Sequence, residues 1–168
     1  MATPTYTLID SVTLGSSAAS INFTGIPTDG TYRDLVVVFT GGRDSSGNLN
    51  AGIQFNADTG SNYNYVSMGG DGTNTDSASS ANNSRIIVGI TSGAGFIDGL
   101  IVVNILDYAQ TDKHKSGLYR MKVAGSGDVY AVAFRYASTS AMSQVNFISP
   151  FGGAYASGTK AYLYGIAG

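Results

Sequence analysis

Apolar residues recur at every second position along most of this chain. In "YTLIDSVTL" the alternation sends Leu8, Val12 and Leu14 to one side, and "SINFTGI" does the same with Ile21 and Phe23. A period of two marks a half-buried strand. "RDLVVVF" departs from it, being apolar on both faces from Leu35 to Phe39, as a central strand covered on both sides would be. "GIQF", "YNYVSM", "RIIVGI", "GLIVVNIL", "GLYRMKV", "VYAVAFRYA", "SQVNFI" and "KAYLYGI" follow, about eleven strand candidates in all. Turn clusters such as "PTDGTY", "GGRDSSGN", "AQTDKHKSG" and "AGSGD" join them. No stretch pairs a 3.6-residue period with capping residues, so no significant helix is expected. The pattern predicts an all-β fold: an antiparallel β-sandwich of jelly-roll type with about ten to eleven strands.

Two segments stand outside this pattern. Residues 69–84, "GGDGTNTDSASSANNS", hold no apolar alternation and read as a long polar loop. Residues 1–7 read as a possible N-terminal arm. No heptad, Gly-X-Y repeat or linker divides the chain, so residues 1–168 are expected to form one β-sandwich domain.

Composition reinforces the all-β reading. Gly, Ser, Thr and Asn supply 69 of the 168 residues, while Glu is absent and Lys occurs four times. That disfavours helix and favours strands with many turns. The net charge is −2 with no basic stripe, so nucleic acid is not an expected partner. No apolar run reaches membrane-spanning length, and "MATPTYTLID" has no signal-peptide pattern. With no cysteine, thiolate and disulfide chemistry are excluded.

Little in the chain points to catalysis. The only histidine, His114, sits between two lysines in a turn cluster, where a triad base would lack shelter and an orienting partner. All acidic residues are Asp, and Asp34, Asp44, Asp58, Asp71, Asp76, Asp98, Asp107, Asp112 and Asp128 fall mostly in turn clusters. There Asp closes bonds to its own backbone, although two carboxylates meeting in space would suit glycoside hydrolysis. "GAGFIDG", from Gly93 to Gly99, is a loose match to a dinucleotide fingerprint but runs into a strand rather than a helix. "FNADTGSNYNY" carries oxygen ligands at Asn56, Asp58, Asn62 and Asn64, as a calcium loop does. An EF-hand register would place Ser61 and Ser67 where Gly and Glu are required, so a hairpin turn is expected, with Gly60 at positive φ. Asn22 and Asn82 head glycosylation sequons, which have no bearing without a secretory signal. No metal or cofactor is expected.

The eleven tyrosines remain. Tyr63, Tyr65, Tyr130, Tyr136, Tyr162 and Tyr164 fall in predicted strands and are the candidates for interface packing or glycan contact, alongside ordinary core packing.

Three stretches together carry a resemblance: the opening "YTLIDSVTLGSSAASINFTGIPTDGTYRDLVVVFTGG", then "IQFNADTGSNYNYVSMGGDG", then the ending "FGGAYASGTKAYLYGI". They resemble small all-β virion proteins and fibre-tip domains of tailed bacteriophages, over nearly the full length. The resemblance implies a jelly-roll sandwich, a homotrimer, and no cofactor or catalysis. The expected role is a capsid decoration (cement) protein in the virion, assembled in the host cytoplasm, with the major capsid protein as partner. The start at Met1 and the lack of a stalk favour it. The alternative is a receptor- or glycan-binding module with tail fibre or baseplate proteins as partners and a host glycan as ligand. A third, weaker reading is a polysaccharide-degrading enzyme with an Asp pair as acid and base.

Overall fold

The computed structural model describes residues 4–44, 49–91, 98–149 and 152–168. Among them twelve strands and no helix are found: β1 (Tyr6–Thr13), β2 (Ser20–Thr24), β3 (Asp34–Gly41), β4 (Leu49–Phe55), β5 (Tyr63–Gly70), β6 (Thr75–Asn83), β7 (Ile86–Thr91), β8 (Gly99–Leu106), β9 (Lys115–Lys122), β10 (Val129–Tyr136), β11 (Gln144–Ile148) and β12 (Lys160–Ile166). Every pairing is antiparallel. The large sheet runs β1-β12-β3-β8-β9-β10-β5-β6, and the small one β2-β11-β4-β7.

The two sheets close on one another through alternate side chains. Leu35, Val37 and Phe39 of β3 face inward, as do Ile101, Val103 and Ile105 of β8 and Ala161 and Leu163 of β12, all buried. Ile21 and Phe23 of β2, Ile53 and Phe55 of β4 and Val145 and Phe147 of β11 meet them. Phe39 stacks on Phe147 at 5.2 Å, and Phe55 lies 5.8 Å from Phe134 of β10, so aromatic rings join the layers. Such pairs contribute about 1 kcal/mol beyond the area they bury.

Strand β6 is the twelfth strand, and it corrects the expectation of a loop over 69–84. Residues 63–70 and 75–83 form a hairpin in which Val66 opposes Ser79 and Met68 opposes Ser77. Asp71 closes its turn by accepting from the N–H groups of Thr73 (2.8 Å) and Asn74 (2.6 Å). β6 is exposed on both faces apart from Ser80 and Asn83, so no apolar alternation marks it. The expected arm over 1–7 is also revised where it is described: Tyr6 and Thr7 begin β1 and pair with Ile166 and Gly165.

The stretch 55–65 is not a hairpin either. β4 belongs to the small sheet and β5 to the large one, so these residues carry the chain between layers. The left-handed backbone falls on Asn56 and Ala57 (φ 53° each) and not on Gly60. Gly60 serves close packing instead: a Cβ there would come within 2.9 Å of Asn62 Nδ2 and 3.0 Å of Asp58 Oδ1.

Candidate interaction surface

The six candidate tyrosines divide into two groups, and only one reaches a surface large enough to bind another protein. Tyr63 and Tyr136 are core residues whose rings stack at 4.9 Å. The Tyr63 hydroxyl accepts from the Phe55 N–H (3.0 Å) and lies 3.1 Å from the Asp58 carbonyl. Tyr136 donates to Asp58 Oδ2 at 2.9 Å. Tyr65 is half-buried against the same core. Tyr130 is half-buried opposite Gly69, where a Cβ would come within 2.2 Å of its ring, so the aromatic side chain covers the glycine.

Asp58, the centre of the suspected calcium loop, has both oxygens committed. Oδ1 accepts from the Gly60 N–H (2.7 Å), and Oδ2 accepts from Asn62 (2.8 Å) and Tyr136 (2.9 Å). Burial pushes this carboxyl up, but the three donors outweigh it and hold it below the usual carboxylate range. Asn56 is committed as well, accepting from Ser143 and Gln144 and donating to the Ala141 carbonyl. The stretch is a structural clamp. No group of three or more metal-ligating residues occurs among the described residues.

The other carboxylates sort as turn and ion-pair groups. Asp34 is buried, paired with Arg33 at 2.8 Å and bonded to the Asp107 N–H. Asp107 pairs with Lys113, Asp98 with Lys122, and Asp128 bonds Ser126. Asp44, Asp76, Asp112 and His114 are exposed. Residues 93–97 of the glycine-rich match lie outside the described residues; Gly99 opens β8.

Tyr162 and Tyr164 belong elsewhere. In an antiparallel ladder directly opposed residues share a face. Tyr164 opposes Leu8 and Val36, and Tyr162 opposes Val38, which places all five on the outward face of the large sheet. The Tyr6 ring meets Tyr164 edge-on at 6.5 Å. Across the sheet, Leu100 and Leu106 of β8, Leu118 of β9, Val129 of β10, and Val66 and Met68 of β5 point the same way by register. These six residues, with Tyr6 and Leu8, are all the large apolar residues exposed among the described residues, and they share one face of one sheet. Exposure is 59% for Leu118 and Val66 and 67% for Met68. Monomeric proteins seldom gather exposed apolar groups this way, whereas interfaces do. Three exposed cations stand among them, Arg120, Arg135 and Lys160, none paired with a described carboxylate.

The sequence missed this surface because its members alternate with buried residues in strands already assigned to the core. It also missed Lys115, fully buried, whose ammonium donates to the carbonyls of Gln110, Lys113 (3.0 Å) and Thr139 (3.4 Å). Burial pushes that ammonium down. A lysine opening a strand after a turn cluster gives no such signal. No family model matches the chain, and no curated protein sequence matches it.

Proposed function

We propose that this chain is a non-enzymatic structural protein of a bacteriophage virion, a decoration (cement) protein that binds the assembled capsid shell as a homotrimer and stabilises it. The observation that carries the reading is the outward face of the large sheet, which gathers every large exposed apolar side chain among the described residues. A face of that kind is built to be covered by protein. The chain as a whole is rich in Ser, Thr and Asn and carries few charges, so contacts away from this face's own cations desolvate few ions.

The strand order adds support. β1-β12-β3-β8 and β2-β11-β4-β7 are the two halves we read as a jelly roll, with β9, β10, β5 and β6 extending one of them. This agrees with the virion proteins that the opening, the 53–72 stretch and the C-terminal stretch resemble. Stabilisation follows from mass action: copies that bind only the assembled shell favour that state.

A receptor- or glycan-binding role at a tail fibre or baseplate is the second reading. It is favoured by Tyr130, half-buried at the exposed β5–β6 hairpin on the same face as Asp76, a combination of ring and carboxylate suited to a sugar. Quantitative mass spectrometry of purified particles separates the two. Decoration predicts copies comparable in number to the capsomers; a fibre or baseplate module predicts a handful. Binding to host cells without binding to capsids stripped of the protein would sink the first reading.

A further inference from the structure

We propose that the apolar, cationic face of the large sheet is an interface between copies of this chain, packed head to tail, with the acidic underside of the exposed β5–β6 hairpin of one copy laid on the outward face of the next. The inference deepens the multi-copy reading above and rests on it, but its test does not involve the capsid.

The face is large enough. Eight strands about 4.8 Å apart and about seven residues tall give a receiving surface of roughly 34 by 24 Å, of which a two-stranded hairpin covers roughly 10 by 30 Å, so the contact belongs to the small, salt-sensitive class. Tyr6, Leu8 and Tyr164 supply apolar area at one end and Val66, Met68 and Leu118 at the other.

Charge selects the occupant. The chain carries a net charge of −2, yet this face presents Arg120, Arg135 and Lys160, while its carboxylates are already engaged, Asp34 by Arg33 and Asp98 by Lys122. Two copies meeting face to face would press these cations into one desolvated layer with no unpaired carboxylate of that face to answer them. The opposite side of the same sheet has the reverse sign at the β5–β6 hairpin. Tyr130 opposes Gly69, and Gly69 opposes Asp76, so Tyr130 and Asp76 point to the underside. Asp71 closes the turn of the same hairpin, and Asp128 directly precedes β10. Val132, Phe134 and Tyr136 of β10 and Tyr63 of β5 are buried, the three rings against Phe55 of the small sheet, but Asp76 and Ala78 of β6 are exposed, so the free underside is that of the β5–β6 hairpin. A basic apolar face and an acidic face on opposite sides of one sheet make a heterologous contact, which closes into a ring when the rotation permits.

Sedimentation velocity on the full chain, over a wide concentration range at low and high salt, tests this. The wild type is expected to sediment above its 17.3 kDa monomer mass, and less so at high salt. Arg120→Glu with Arg135→Glu is expected to weaken association at least about tenfold, and adding Asp76→Lys to restore part of it. Leu118→Asp is expected to give a monomer with an unchanged circular dichroism spectrum; should it not fold, Met68→Ser serves the same purpose. A wild type that remains a monomer overturns the proposal. So does association that ignores the arginine reversal, or one that the reversal strengthens, which would mean face-to-face packing. Self-association without capsid binding would leave this inference standing and remove the cement reading.

Discussion

Tyr136 stacks on Tyr63 at 4.9 Å while its hydroxyl reaches past the ring pair to Asp58. The pair ties the start of β5 to the end of β10, and Asp58 ties both to the crossing between the sheets. Here a polar clamp has an aromatic floor, and its chemistry sets how stability responds to pH.

The Asp58 carboxyl is held below its unfolded value by Gly60, Asn62 and Tyr136, which outweigh the effect of burial. A depressed folded value contributes stability that is present above the unfolded value, near 4, and lost as pH falls through the folded one. Asp58→Asn is therefore expected to cost about 1–2 kcal/mol at neutral pH. The gap between variant and wild type should close below about pH 4. Urea unfolding midpoints at several pH values check this; a gap that stays constant into acid would contradict it.

The alkaline side behaves in the opposite sense. Burial first, then the bond to the Asp58 carboxylate, pushes the Tyr136 phenol up to about 12, and burial pushes Tyr108 up to about 12. A raised phenol contributes stability that is complete below its unfolded value, near 10, and lost as pH rises through the folded one. Spectrophotometric titration is expected to show these two phenols ionising only near about pH 12 or together with unfolding.

Gly117 marks a close approach of side chain and backbone within the large sheet. A Cβ there would meet the Asn104 carbonyl oxygen at 2.2 Å and Phe134 Cζ at 2.4 Å. Backbone cannot yield as a side-chain tip can, so Gly117→Ala is expected to cost about 1–3 kcal/mol. Thermal denaturation reads this directly, and an unchanged Tm would contradict the packing described.

Eleven of the strands were legible from apolar residues put into a core: Leu35, Val37 and Phe39 are one example, and Ile101, Val103 and Ile105 another. β6 was not, since a strand exposed on both faces has no reason to alternate. In β1 a bulge between Leu8 and Asp10 breaks the expected alternation, so Leu8 faces outward while Val12 and Leu14 pack on the core. The crossing at 55–65 looked like a hairpin because turn residues flanked by strands do not say whether the strands pair; β4 pairs with β11 and β7, and β5 with β10 and β6, but not with each other. Among the tyrosines, composition could nominate Tyr162 and Tyr164 together with Tyr63 and Tyr136, but only the register parts them. One pair lies on the outer face and the other in the core.

The face itself is where the central claim is exposed to measurement. Hydroxyl-radical footprinting of Met68 and Leu118 compares their side chains in intact virions with those of the dilute, isolated chain. If protein covers this face in the working assembly, both should be labelled several-fold less in the particle, while exposed His114, away from the sheet face, keeps its reactivity. Equal labelling of Met68 and Leu118 in the two states would contradict the account.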